Sequence, residues 1–255
     1  MDNSFIETRE HARYAHLTLL HPPLNILNIA MLKRINDYLE SLSSRKTLCA
    51  LLIDAQGPAF SAGVDIPEHR IETVAEMLGT FHQTIRLLHR LPMPVVAAVH
   101  GGTYGGGMEL AAFCDIVLAS DDLKIGVPEI TLGVYPPVAV ALLTQVIGYR
   151  YAAEMILTGQ VIGAKVASDI GLVNHVYPAS QFRNHVSDYM EKFTRLSAYS
   201  LGQTRRALRD ASWSTFEAAL KASETSYLDE LMKGSDPVEG LTAFMEKRQP
   251  QWLDR

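Results

Sequence analysis

The sequence predicts an α/β fold built on a largely parallel, buried sheet. Short apolar runs at residues 48–53, 95–99 and 116–119 lack polar alternation, as strands covered on both faces do. Between the first two lie helical patterns, so strand and helix alternate along the chain. The stretch VVAAVHGGTYGGGMELAAFCDIVLAS (95–120) condenses this pattern. A strand enters a turn with five glycines in seven positions (101–107), and helix-forming residues from Met108 to Cys114 lead to a further strand.

In chain order, residues 5–10 and 15–20 read as two strands able to pair as a hairpin, closed by His21-Pro22-Pro23. Ile29, Leu32, Ile35, Leu39 and Leu42 mark one face of a helix, and residues 48–53 the next strand. AFSAGVDIPEH (59–69) reads as a small-residue loop, placed where ligands gather in α/β folds, beyond the carboxyl end of a strand. A long helix follows with Val74, Leu78, Phe81, Ile85 and Leu88 on one face, stopped by Pro92 and Pro94. Beyond Val140, residues 149–157 and 164–170 read as helices and 171–177 as a short strand. Helices are then expected at 179–196, 200–211, 216–232 and 237–247. A boundary near Tyr177 divides a core (1–177) from a helical region (178–255), whose apolar residues Phe216, Leu220, Tyr227 and Leu231 suit internal packing or a neighbouring subunit equally.

Apolar residues make up 47% of the 255-residue chain and charged residues 20%, a composition for a large core rather than disorder. A net charge of −5 with scattered signs argues against nucleic acid as partner. Cys49 and Cys114 read as buried thiols of a reducing compartment. The opening MDNSFIETREH has no basic and apolar leader pattern, and no apolar run reaches the roughly 18 residues of a membrane span. A cytoplasmic protein with no membrane partner is the expectation.

The glycine turn suits an anion, since glycine bares its N–H groups and a helix start leaves them unpaired. Two nucleotide signatures are absent: GxxxxGK[ST], and GxGxxG across residues 101–110. Glu109, three residues past Gly106, places a carboxylate beside N–H donors, an arrangement for acid–base chemistry at a carbonyl. A capping or solvated glutamate is the alternative at this point, and Glu129 after Pro128 equally suits a turn start. No His/Cys cluster has metal-ligand spacing, the nine histidines read as packing or surface residues, and no GxSxG turn supports a nucleophilic serine.

AFSAGVDI, then the glycine-rich stretch, then KIGVPEITLGVYP, in this order and spacing, resemble the crotonase family of enoyl-CoA hydratases and isomerases, over nearly the whole chain. The resemblance implies a spiral of ββα units and a C-terminal helical region supporting a homotrimer or a dimer of trimers. It implies an acyl-CoA thioester substrate, with coenzyme A as part of that substrate and no separate cofactor. Residue by residue, it places the oxyanion hole at the N–H groups of Ala62 and Gly106 and the catalytic carboxylates at Glu109 and Glu129. Substrate contacts fall at Ala62, Gly63, Val64, Asp65, Ile66, Gly105, Pro136 and Pro137. Possession of both glutamates favours a hydratase over an isomerase or a non-catalytic acyl-CoA- or RNA-binding relative.

One departure bears on the substrate. Common hydratases continue after this motif with a glycine-rich helix start, whereas here Pro136-Pro137-Val138 follows. Two prolines stiffen the backbone, narrow the wall expected near Glu129 and remove N–H donors. With PPLNILNIAML (22–32), this variant most resembles the branch that hydrates cyclohexa-1,5-diene-1-carbonyl-CoA to 6-hydroxycyclohex-1-ene-1-carbonyl-CoA in anaerobic aromatic degradation. Straight-chain 2-enoyl-CoA hydration is the alternative. Glu109 is expected to act as the base and Glu129 as the proton donor, with exchanged roles left open.

Overall fold

A computed structural model describes residues 5–212 and 215–255. The strands β1 (Ile6–Glu10) and β2 (Tyr14–Leu19) form the expected antiparallel hairpin. Helix α1 spans Ile29–Leu42, as its apolar spacing predicts; Asn28 caps it by accepting from Met31 N at 2.8 Å. Three similar units follow. In the first, β3 (Ala50–Ala55) leads to β4 (Ala59–Ser61) and α2 (Val74–Arg90). In the second, β5 (Val95–Val99) leads to β6 (Gly102–Tyr104) and α3 (Gly106–Phe113). In the third, β7 (Ile116–Ser120) leads to β8 (Lys124–Gly126), a 3-10 turn (Pro128–Leu132) and α4 (Pro137–Val146). Then come α5 (Gly148–Thr158), β9 (Val161–Gly163), α6 (Ala164–Asp169) and β10 (His175–Tyr177).

The first strand of each unit joins one sheet and the second joins another. The larger sheet runs β1-β2-β3-β5-β7-β10 and the smaller β4-β6-β8-β9. All neighbours pair in parallel except β1 with β2 and β8 with β9. This is the spiral of ββα units that the family resemblance implies. The smaller sheet is the part the sequence reading lacks: residues 59–61 and 102–104 were expected as loop and turn, and 124–126 and 161–163 as no strand. Strands of three residues are too short to show alternation, and their pairing partners lie far along the chain.

Side-chain parity explains the continuous apolar strands. Leu51, Ile53, Val95, Ala97 and Val99 face the main core between sheet and helices. Their neighbours Ala50, Leu52, Val96 and Ala98 face the opposite side, where Phe182, Val186, Met190 and Phe193 of α7 (Phe182–Thr194) cover them. Cys49 and Cys114 are buried and unpaired.

Among the described residues no strand follows Tyr177, but the helices beyond it are built into the core. Phe216 and Leu220 of α9 (Phe216–Asp229) enter the main cluster. Tyr227 enters a third cluster with Val74, Met77, Leu78 and Val134, where Met232 of the 3-10 turn Leu231–Lys233 and Leu241 of α10 (Ser235–Met245) meet it. Their apolar faces therefore pack within the chain. Helix α8 (Ala198–Ser212) is tied down by charge. Asp115 Oδ2 accepts from Arg205 Nε at 2.6 Å and from Val95 N at 2.8 Å, while Oδ1 accepts from Arg209 Nη2 at 2.8 Å. Arg205 also donates to the carbonyls of Leu88 and Leu91. Burial alone would raise the Asp115 carboxyl, but the two guanidiniums outweigh it and hold it below the ordinary range. Among the described residues no helix is long and apolar enough to cross a membrane.

Removing one member of a buried ion network leaves the others desolvated and uncompensated. Asp115→Ala is therefore expected to destabilise the chain by on the order of 3–5 kcal/mol, read as a lower urea midpoint. An unchanged midpoint would show that α8 does not depend on this carboxylate.

Candidate active site

The smaller sheet brings the three motifs together. β4 pairs with β6 through Ser61↔Thr103, and β6 with β8 through Tyr104↔Gly126. The three strands are parallel, so the segments leaving them, Ala62 to Ile66, Gly105-Gly106 and Val127 to Glu129, emerge side by side at their carboxyl ends. Glycine is required where they meet. Gly63 has φ +100°, and a Cβ there would lie 3.0 Å from Tyr104 O. Gly105 has φ +51°, and its Cβ would lie 2.6 Å from Glu129 Oε1.

The N–H groups of the first segment are not equivalent. Ala62 N donates to Leu24 O at 2.8 Å, which corrects the expected placing of an oxyanion donor at Ala62. The cause is the loop before α1. Leu27 N donates to Gly63 O at 2.9 Å, and the Asn25 side chain donates to Ala59 O and Gln56 O. Ser61 Oγ donates to Asn25 O and accepts from Gly63 N at 3.1 Å. That leaves Val64. Neither Val64 N–H nor Gly106 N–H donates to an acceptor among the described residues, and a Cβ on Gly106 would lie 3.4 Å from Val64 N. Gly106 opens α3, whose first N–H groups have no intrahelical partner. The open pair of donors is Val64 and Gly106.

Glu109 lies in the first turn of α3 and is only 4% exposed. Its Oε1 accepts from Ala139 N at 2.7 Å, with a further contribution from Val138 N–H. Both donors belong to the start of α4. Pro137 stands at the first helical position, where a missing N–H leaves no bond unmade, and Val138 and Ala139 supply the unpaired N–H groups that follow. The expectation for this wall is thereby corrected: the Pro136-Pro137 turn aims its donors at Glu109 rather than stripping donors from beside Glu129. Burial raises the Glu109 carboxyl to about 7 against the pull of these N–H groups.

Glu129 sits on the 3-10 turn, half-buried as a residue. Its Oε2 is out of contact with water and has no hydrogen-bond partner among the described residues. Burial and the charge of Glu109 push its carboxyl up to about 8. The pair titrates as a unit, with the form ionised at Glu109 and protonated at Glu129 favoured because Glu109 has two main-chain N–H donors against one at Glu129.

Ile66 packs on the third cluster with Val64, Leu132 and Tyr135, while Asp65 O is engaged by Glu68 N and His69 Nδ1. Two residues absent from the sequence-based site adjoin it. Tyr135 donates its hydroxyl to Ser223 O at 2.8 Å, and its ring meets Tyr227 edge-to-face at 5.3 Å. Tyr227 has the spacing of a core residue of its helix, so no signal marked it. Among the described residues no group of three or more His, Cys, Asp or Glu is placed to hold a metal ion.

Both glutamates bind protons more tightly in the folded chain than in the unfolded one, where glutamate titrates near 4.3. The stability this contributes is full below that value and is lost as pH rises through about 7 and about 8. Glu129→Gln is expected to stabilise the chain at pH 9 by roughly 1–2 kcal/mol, read as a higher urea midpoint, and to leave the midpoint near the parent value at pH 5. Equal shifts at both pH values would refute the raised carboxyl.

A family model described as enoyl-CoA hydratase/isomerase matches residues 9–255. A cyclohexa-1,5-dienecarbonyl-CoA hydratase of Thauera aromatica is 36% identical over 239 residues, 94% of this chain and 92% of that protein. A 2,3-dehydroadipyl-CoA hydratase of Escherichia coli (strain K12) is 33% identical over 242 residues, 94% of each. The crystal structure of an enoyl-CoA hydratase from Mycobacterium avium subsp. paratuberculosis K-10 matches with a TM-score of 0.89 at 28% identity, over 98% of this chain and 99% of that one. With the model spanning almost all of the chain and relatives covering it end to end, the protein belongs to the enoyl-CoA hydratase/isomerase family and is an enzyme of its hydro-lyase type.

Proposed function

We propose that the protein adds water to cyclohexa-1,5-diene-1-carbonyl-CoA, giving 6-hydroxycyclohex-1-ene-1-carbonyl-CoA. The observation that carries the chemistry is the unequal pair of carboxyls beside two open N–H groups. The thioester oxygen accepts from Val64 and Gly106 N–H, where the helix start of α3 adds a favourable dipole. Ionised Glu109 takes a proton from water, and the resulting hydroxide adds to a ring carbon β to the thioester. The electron pair moves onto the thioester oxygen as a dienolate, which shares its charge with the remote end of the diene. Neutral Glu129 delivers its proton to that carbon, and proton return between the two glutamates completes the net addition of one water.

Two features favour the ring over a straight chain. Tyr135, Pro136 and Pro137 form a stiff wall joined to Tyr227, a shape suited to a flat ring. A relative named for this substrate is 36% identical. The rival reading, a straight-chain 2-enoyl-CoA hydratase, keeps both glutamates and both N–H donors and is supported by relatives named as enoyl-CoA hydratases. Enoyl-CoA isomerisation has no use for two carboxyls around one water. The proposal includes coenzyme A carried as part of the substrate along residues 62–66, no separate cofactor, and a cytoplasmic homotrimer or dimer of trimers with contacts from residues 178–255.

Glu109→Gln and Glu129→Gln are each expected to lower kcat by roughly 10²- to 10⁴-fold with thioester binding largely kept; full activity in either ends the two-carboxylate mechanism. The parent enzyme's kcat/KM should rise as pH passes about 7 and fall beyond about 8, a narrow bell set by the pair. A side-by-side hydration assay decides the acyl group. Preference for the cyclic diene over crotonyl-CoA supports the proposal, and the reverse preference returns the enzyme to straight-chain hydration.

A further inference from the structure

Ser61 is the last residue of β4 and is 0% exposed. The register of β4 on β6 slips between Ala59 and Ser61, an irregularity of the kind that re-aims a side chain. Its hydroxyl is used twice. Oγ donates to Asn25 O at 2.8 Å and accepts from Gly63 N at 3.1 Å. A third segment meets the same side chain: a Cβ on Gly107 would lie 2.6 Å from Ser61 Cβ and 2.9 Å from its Oγ. The second residue of α3 therefore rests on Ser61, with no room for a side chain between them.

Each of these contacts stands one residue away from an open donor. Gly63 precedes Val64, and Gly107 follows Gly106. Of the amides leaving β4, Ala62 N–H is taken by Leu24 O and Gly63 N–H by Ser61 Oγ, so Val64 N–H is the first that is open. Its direction is set through Gly63. Gly63 O and Val64 N–H belong to one planar peptide unit and point in opposite directions, so the bond from Leu27 N to Gly63 O at 2.9 Å aims the Val64 N–H. Gly63, at φ +100°, has no side chain to restrict its rotation, and Ser61 supplies the second restraint from its N–H side. The two halves of the site are close here: a Cβ on Gly63 would lie 3.3 Å from Gly106 N.

We propose that Ser61 is a positioning residue for both oxyanion donors. Its hydroxyl fixes the direction of Val64 N–H through Gly63, and its contact with Gly107 fixes how near Gly106 N–H stands to it. The inference rests on the hydratase reading, in which the thioester oxygen lies between these two amides. Such donors act by standing in advance where charge develops, with no reorganisation during the reaction. Without the hydroxyl, Gly63 N–H is unpaired and Gly63 regains its rotation, so Val64 N–H is no longer held in one direction. The loss falls on the transition state more than on bound substrate, because the oxygen gains its charge only there.

Ser61→Ala removes the hydroxyl and keeps the Cβ on which Gly107 rests. Its kcat for hydration of the preferred thioester is expected to fall about 3- to 10-fold, as for the net loss of one hydrogen bond, with KM near the parent value. The direct readout is the carbonyl of a bound thioester that has no double bond to hydrate. Cyclohexanecarbonyl-CoA and butyryl-CoA, isotope-labelled at the thioester carbonyl, serve as probes in infrared difference spectra. Two aimed donors weaken the C=O bond, so the band of the parent complex lies below its frequency in water. In Ser61→Ala the band should move back toward the value in water. A parent-like band, or a parent-like kcat, in the folded variant overturns the proposal, as does a rise in KM with kcat and band unchanged. Ser61→Cys keeps a weaker donor and acceptor and is expected to lie between the parent and Ser61→Ala in both readouts. It carries the test where the alanine variant does not fold, and a parent-like band in it, or failure of both variants to fold, overturns the assignment. Failure of the hydratase reading itself is distinct, since it appears in the parent enzyme as an unshifted band or as no hydration.

Discussion

Two carboxyl groups held out of water within electrostatic reach of one another are the constraint on which this molecule depends. A pair of charged carboxylates in such a place is unfavourable, so one of them keeps its proton, and the protein decides which. Helix α4 makes that choice by aiming N–H groups at Glu109, with the Ala139 bond at 2.7 Å. Glu129 receives no such donor at Oε2. Two unlike carboxyls thus arise from one residue type: burial raises both, the N–H groups of α4 pull Glu109 back, and the charge of Glu109 pushes Glu129 further up. Everything that positions α3, α4 and the 3-10 turn maintains that difference.

Those positions follow from very little backbone. Parallel pairing among β4, β6 and β8 places the N–H donors beside the carboxylates, and each strand contributes only three residues. So small a sheet has little stability of its own. It is held by the larger sheet through the repeated ββα connection, by the loop around Asn25 on one side, and by the packing of glycine against glycine where a side chain has no room. Gly105 shows the tightness of this arrangement, since a methyl group there would meet the Glu129 carboxyl.

Much of this was legible in the sequence, and what was not had physical causes. The strand from Val95 to Val99 and the helix from Ile29 to Leu42 were readable to the residue because each carries a strong apolar pattern of sufficient length. Glu109 and Glu129 were found by their motifs. The small sheet was hidden because its strands gain their identity from distant partners. The open N–H at Val64 rather than Ala62 was hidden for a related reason: the choice is made by Leu24, in a separate loop, and nothing within SAGVD distinguishes one amide from the next. At the start of α4 the residue types display only the N–H groups that proline lacks. The donors that matter are those of Val138 and Ala139, which proline leaves in place and fixes in direction.

In the proposed mechanism chemistry and specificity belong to different groups. There the carboxyl pair and the open N–H groups act on the thioester and on water, and they impose little on the rest of the acyl group. Relatives named cyclohexa-1,5-dienecarbonyl-CoA hydratase and 2,3-dehydroadipyl-CoA hydratase stand at 36% and 33% identity to this chain. Discrimination has to come from the walls. Here Tyr135, next to Pro136 and Pro137, packs edge-to-face on Tyr227 at 5.3 Å, so these residues make one continuous surface with few rotatable bonds. A rigid surface loses little conformational entropy on meeting a flat ring, whereas a flexible chain must itself be ordered on binding. Because α9 packs on α4, whose first turn holds Glu109, the placing of Tyr227 and the ionisation of Glu109 depend on a single packed interface.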